Sequence, residues 1–223
     1  MTAPLRLVIF DCDGVLVDSE PASHRVLMAE AQRLGWDVGP QDARRFIGMR
    51  WTDLRPVFEQ ATRQDLGAGW PLRMQSLVIE GMRGNVRAIE GAAEALRATA
   101  DLGLPYRIAS NSSHEEMAIK FAATGLSALV DGRVHSAKDV GVGKPAPDLF
   151  LAAAAAEGVP PQACLVLEDS RPGVTAALAA GMRCVAYLPE GDPDQLVALG
   201  ATGLRSLHDF DGLLRSVLLA RVA

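Results

Sequence analysis

Residues 5–14 read LRLVIFDCDG: a short apolar run, Leu5–Phe10, that stops at Asp11, Cys12, Asp13 and Gly14. A run of this length, rich in β-branched residues, predicts a strand buried on both faces. Similar runs recur at Tyr106–Ser110, Cys164–Glu168 and Arg183–Leu188, with a weaker one at Leu129–His135. Alanine-rich helical stretches lie between them, at Gly91–Leu102, Ser113–Thr124, Pro147–Glu157 and Pro172–Ala180. Strands alternating with helices predict an α/β fold with a doubly wound parallel sheet covered on both faces. Ser113 with Glu116 matches a capping box, Pro172 suits a first helical turn, and Gly125 and Gly181 lie where helices should stop.

One region breaks the alternation. From about Asp18 to Asn85 no strand is convincing, and helical patterns run over Pro21–Leu34, Asp42–Ile47 and Thr52–Gln64. Gly35, Gly67–Gly69 with Pro71, and Gly81 with Gly84 read as its breaks. The predicted organisation is a core of residues 1–17 and 86–223 with an all-helical insert at 18–85. Trp36, Trp51 and Trp70 all fall in the insert and read as packing residues. The tail from Gly203 reads as a last short strand and a closing helix.

The 223 residues carry a net charge of -5 and are 49% hydrophobic and 22% charged, which suits a globular chain and argues against disorder. An acidic chain lacks the basic footprint of a nucleic-acid or anionic-membrane binder. Cys12, Cys164 and Cys184 are far apart and form no CxxC pair, against a zinc cage or a disulfide framework, and Cys12 and Cys164 read as small core residues. The N-terminal apolar run is too short for a signal peptide or a span, so the expected location is cytoplasmic.

Parallel sheets bind ligands beyond the carboxyl ends of their strands, so the residues after each apolar run carry the functional reading. Asp11 and Asp13 can both approach the first strand tip. Two close carboxylates repel unless a cation sits between them or one keeps its proton. That pair suits a hard divalent ion, or a nucleophile with an acid–base partner; alone, it could equally cap a turn. Ser110-Asn111-Ser112 precedes a helix start that could cradle phosphate, with Ser112 and Ser113 read as caps. Lys144, in Gly143-Lys144-Pro145, could neutralise charge in transfer or be a solvated surface residue. It does not belong to a Walker loop, since Pro145 stands where Ser or Thr is required. Glu168-Asp169-Ser170 supplies a second acidic pair at a strand end. Together these residues make a plausible oxygen cage beside a phosphate site.

DCDGVLVDSE (Asp11–Glu20), Ser110-Asn111, GKPAPD (Gly143–Asp148) and EDSRPG (Glu168–Gly173) resemble the four motifs of the haloacid dehalogenase superfamily, in the usual order and across most of the chain. The resemblance implies a Rossmann-like core and makes the insert a small mobile cap. It implies that Asp11 is the nucleophile that forms an aspartyl-phosphate and Asp13 the acid–base group, while Ser110 and Lys144 hold the phosphoryl group. Magnesium would be bound by Asp11, Asp169 and the main-chain carbonyl of Asp13, with Glu168 in support. The aspartate at 13 favours phosphate esters over carbon–halogen or carbon–phosphorus bonds.

Phe46-Ile47-Gly48-Met49-Arg50 resembles the substrate-specificity loop of sugar-phosphate phosphatases and β-phosphoglucomutase. Gly48 and Arg50 are therefore expected substrate contacts, though Arg50 also reads as an exposed helix start, and Asn111 is likewise expected to face the substrate. The expected activity is Mg2+-dependent hydrolysis of a small phosphorylated metabolite, of the type taken by 6-phosphogluconate or deoxyhexose-phosphate phosphatases, by a monomer or weak homodimer. A phosphomutase is the alternative; against it, Ser23 stands where the mutase carries a cap-hinge histidine, with His24 one place along. A phospho-accepting signalling domain or a ligand-binding relative without turnover is the alternative of another class.

Overall fold

The computed structural model describes residues 3–39, 46, 49, 51–190 and 194–219. The chain forms two compact units, Met1–Val17 with Ala88–Ala223 and Asp18–Arg87.

The larger unit is built on a six-stranded sheet of β1 (Leu7–Phe10), β4 (Tyr106–Ser110), β5 (Val134–Ser136), β6 (Cys164–Glu168), β7 (Arg183–Tyr187) and β8 (Thr202–Leu204). Its order is β5-β4-β1-β6-β7-β8, and every pairing is parallel. β1 is central, with Phe10 opposite Ile108 on one side and Leu167 on the other. All four of its residues are buried, which is why its sequence is apolar without alternation. Helices including α4 (Ala92–Asp101), α5 (His114–Thr124), α8 (Asp148–Ala156) and α9 (Arg171–Ala179) connect the strands. The predicted capping box at α5 is present: Ser113 Oγ accepts the Glu116 N–H, and Glu116 Oε2 accepts the Ser113 N–H at 2.7 Å. One edge differs from expectation. Residues 127–130 form a helical turn (α6), and β5 begins only at Val134, beyond Gly132 at φ +67°. An edge strand of three residues gives too short an apolar signal to be placed from sequence.

The smaller unit contains α1 (Glu20–Arg33), α2 (Trp51–Thr62) and α3 (Trp70–Met82), and two short strands, β2 (Val17–Asp18) and β3 (Arg87–Ala88), pair where the chain enters and leaves it. Its core gathers Leu27, Leu54, Phe58, Trp70 and Met74, with Trp36 and Trp51 packed against it. The Trp36 and Phe58 rings meet edge-on at 4.9 Å. Pro71, read as a break, instead opens α3 in the first turn, where a missing N–H breaks no bond. Of the Asp42–Ile47 helical pattern only Phe46 lies within the described residues. Among the described residues no helix is long and apolar enough to cross a membrane.

Candidate active site

β1, β4 and β6 are neighbours in the sheet, and the strand order reverses at β1, the position where open parallel sheets leave a crevice. Asp11 follows β1, Ser110 ends β4 and Glu168 ends β6. The Asp11 N–H still bonds Leu167 O at 2.9 Å, so the strand geometry carries its side chain to the tip.

Lys144 arrives at this tip from the segment before α8. Its ammonium hydrogen-bonds Asp11 Oδ1 and reaches Glu168 Oε1 at 2.7 Å, with the lysine side chain 4% exposed. Asn111, expected at the substrate, uses its carboxamide on the Lys144 main chain: its Oδ1 accepts the Lys144 N–H at 2.9 Å. Glu168 is held from the other side, since its Oε2 accepts the Asp169 and Ser170 N–H groups at 2.9 and 2.8 Å and the Ser170 hydroxyl at 2.9 Å. Gly173 lets this carboxylate approach the start of α9, because a Cβ there would lie 1.7 Å from Glu168 Oε1. Gly14, at φ +82°, does the same for Asp169, whose Oδ2 would lie 1.9 Å from an added Cβ.

Asp11, Glu168 and Asp169 each offer a carboxylate oxygen, all within 4.8 Å of one another. Burial pushes the Asp11 carboxyl up to about 7, with Glu168 and Asp13 adding to the effect and Lys144 opposing it. Burial, then Asp11 and Glu168, push Asp169 well above the usual carboxylate range. Burial works against the Lys144 charge, but Asp11 and Glu168 outweigh it and hold the ammonium above its ordinary value. One lysine thus faces three carboxylates. The surplus of buried negative charge, the all-oxygen donor set and the two side-chain-free approaches fit a hard divalent cation.

Asp13 is oriented by a different set of residues. Lys120 Nζ lies 2.7 Å from its Oδ1 and 2.9 Å from its Oδ2, and the Ser112 hydroxyl donates to Oδ2 at 3.1 Å. The Ser110 hydroxyl lies 3.4 Å from the same oxygen and accepts the Ser112 N–H at 3.0 Å. Ser112, read as a cap, therefore faces Asp13 while Ser113 alone caps α5. Lys120 was not foreseen. Its signal was a charge in the apolar stripe of α5, between Met117 and Phe121. Gly48 and Arg50 lie outside the described residues.

The acidic and lysine side chains converge at the strand tips of a doubly wound sheet, the layout of a hydrolase that works on an anionic substrate. The chain matches the haloacid dehalogenase-like hydrolases over residues 5–181 and belongs to that family. It is 32% identical over 191 residues to hexitol phosphatase A of Escherichia coli K12, covering 84% of this chain and 85% of that one. It is 33% identical to a probable pseudouridine-5'-phosphatase of Drosophila melanogaster, covering 91% and 90%. A 32% identical match to the chloroplast protein SUPPRESSOR OF QUENCHING 1 of Arabidopsis thaliana takes in 80% of this chain but only 17% of that much longer protein. Among solved structures, a haloacid dehalogenase family hydrolase of Deinococcus radiodurans R1, crystallised with phosphate and sodium, superposes with a TM-score of 0.81. It is 34% identical, and the match covers 96% of this chain and 97% of that one.

Proposed function

We propose that this hydrolase is a magnesium-dependent phosphatase that removes phosphate from a small, sugar-like metabolite through an aspartyl-phosphate on Asp11. The observation that carries the reading is the Lys144 ammonium seated between Asp11 and Glu168 at the strand tips, with Asp169 beside them. The family membership and the phosphatase relatives support it.

In the first step an Asp11 carboxylate oxygen attacks phosphorus, the ester P–O bond breaks, and the leaving oxygen takes a proton from Asp13. In the second, Asp13 takes a proton from water as that water attacks the same phosphorus. The new Asp11–phosphorus bond then breaks, releasing inorganic phosphate and free Asp11. Lys144 and the Ser110 hydroxyl hold the phosphoryl oxygens, and the fixed lysine charge lets an anionic carboxylate approach an anionic phosphate. Asp11, Asp169 and the Asp13 carbonyl would hold the magnesium, with Glu168 supporting them. Bound there, the ion supplies further positive charge against the phosphoryl group. Gly48 and Arg50 are assigned to substrate contact, on the loop resemblance alone.

The test is phosphate release with Mg2+ from hexose, hexitol, pentose, gluconate and nucleoside phosphates, phosphoglycolate and β-glucose 1-phosphate, comparing wild type with Asp11→Asn. Magnesium-dependent release that disappears in the variant is the expected result, and the ranking names the substrate class. Conversion of β-glucose 1-phosphate to the 6-phosphate without release would replace the phosphatase by a mutase. Release that survives in Asp11→Asn would remove the nucleophile.

A further inference from the structure

Two buried lysines divide the site. Lys144 serves Asp11 and Glu168, and the function above already uses it. Lys120 serves Asp13 and has no part in that scheme. Its side chain is 3% exposed, whereas that of Asp13 is 34% exposed, so the lysine stands behind the carboxylate, on the protein side. It projects from the inward face of α5, between the buried side chains of Met117 and Phe121. An apolar residue there would fill the same space with no charge to desolvate, and a buried lysine is retained only where it is paired.

The pairing is unusually complete. Lys120 Nζ is within 2.9 Å of both Asp13 oxygens and donates to Ser112 Oγ at 2.7 Å, while Ser112 Oγ in turn donates to Asp13 Oδ2. Lys120, Ser112 and Asp13 thus close a three-membered ring of hydrogen bonds. A carboxylate at the end of two rotatable bonds is thereby given one orientation. General acid catalysis needs that, since the proton must be delivered along one line to the leaving oxygen.

We propose that Lys120, with Ser112, is the positioning residue for Asp13, fixing its carboxyl group for proton transfer to the leaving oxygen and facing the anion left when the proton has gone. This rests on the reading of Asp13 as the acid–base group. Lys120 is buried behind Asp13 and acts through it, so its effect should depend on how much the leaving group needs a proton. An alkyl phosphate must leave with one; p-nitrophenolate leaves readily as the anion.

The experiment measures leaving-group release in a single turnover, with enzyme in excess and Mg2+ present, so that only the first step is read. The substrates are p-nitrophenyl phosphate and the sugar phosphate that ranks first in the panel above. The variants are Lys120→Met, Lys120→Arg, Ser112→Ala and Asp13→Asn. Lys120→Met should slow release from the sugar phosphate by about 10–100-fold, part of what a positioned acid contributes, and p-nitrophenolate release by less than about threefold. Lys120→Arg should restore most of the loss, and Ser112→Ala should show a smaller loss with the same selectivity. If Lys120→Met does not fold, Ser112→Ala decides. Equal slowing of both substrates, or none, while Asp13→Asn still discriminates between them, overturns the role of Lys120 and leaves that of Asp13 standing. If Asp13→Asn does not discriminate either, the acid role itself fails and the proposal fails with it.

Discussion

Lys144 and Glu168 meet at 2.7 Å with both side chains almost wholly out of water, and the same ammonium also holds Asp11. Neither partner of such a pair can be removed without stranding the other. Lys144→Met leaves the three clustered carboxylates with no cation from this lysine. Removing one member of a buried ion pair costs about 3–5 kcal/mol, so urea unfolding of the metal-free variant at pH 8 should show a loss of that order. Turnover should fall at least about 100-fold, the usual effect of removing a preorganised charge at a reacting centre. A variant that keeps full stability would mean that Lys144 is not the counter-charge for Asp11 and Glu168.

Gly173 poses a contest of two effects in the first turn of α9. Alanine exceeds glycine in helix propensity by about 1 kcal/mol, which favours Gly173→Ala. The added Cβ, however, would fall 1.7 Å from Glu168 Oε1, far inside contact distance, so the carboxylate must move. The displacement should dominate. Mg2+ affinity, read from the concentration giving half-maximal activity, should weaken roughly 10–100-fold, as when a residue supporting a metal ligand is lost. An unchanged Mg2+ requirement would show that the placement of Glu168 does not matter to the metal.

In the helical unit, Glu30 of α1 is 2% exposed and binds three residues: the Trp70 indole N–H at 2.7 Å, Arg33 Nε at 2.7 Å, and the Arg73 guanidinium. Burial alone would raise this carboxyl, but the hydrogen bonds from Arg33, Arg73 and Trp70 outweigh it and hold it at about 2, against an ordinary 4.5. A lowered carboxyl contributes stability that is present above 4.5 and lost as pH falls toward 2. All three tryptophans lie in this unit, so their fluorescence reports its unfolding. Glu30→Gln should destabilise the unit at pH 7 by about 1–3 kcal/mol, the cost of impairing buried hydrogen bonds, and should flatten its pH dependence between 4.5 and 2. A pH profile identical to that of wild type would rule out Glu30 as the source of acid sensitivity.

The buried strands were legible because a strand covered on both faces must be apolar throughout, and because the residues after it face the crevice. Asp11, Ser110, Glu168 and Asp169 could be placed on strand ends for that reason alone. Trp70–Met82 was obscured by Pro71 and Gly81, which punctuate a sequence even when one opens a helix and the other lies near its end. Lys120 and Asp13 are 107 residues apart, and Glu30 and Trp70 are 40 apart. Neither residue of either pair carries a local signal of the other, so only the fold reveals the pairing.

Asp169 tests whether the acidic cluster exists for a cation. Burial and the charges of Asp11 and Glu168 raise its carboxyl well above 3.8. A raised carboxyl gives the fold its full stability below the unfolded value and loses it as pH rises through the folded one. Asp11, raised to about 7, loses stability in the same sense, so the metal-free protein should melt lower at pH 8 than at pH 6. Asp169→Asn removes the repelled charge, so without metal at pH 8 it should melt higher than wild type, by about 2–4 °C for each kcal/mol relieved. Added Mg2+ should reverse the order, because wild type gains binding free energy that the variant cannot, and the variant should be nearly inactive. Thermal melts of both proteins at the two pH values, with Mg2+ and with chelator, make the comparison. If Asp169→Asn is the less stable protein with chelator present, the carboxylate is held by protein contacts rather than reserved for a metal, and the cation reading of the cluster fails.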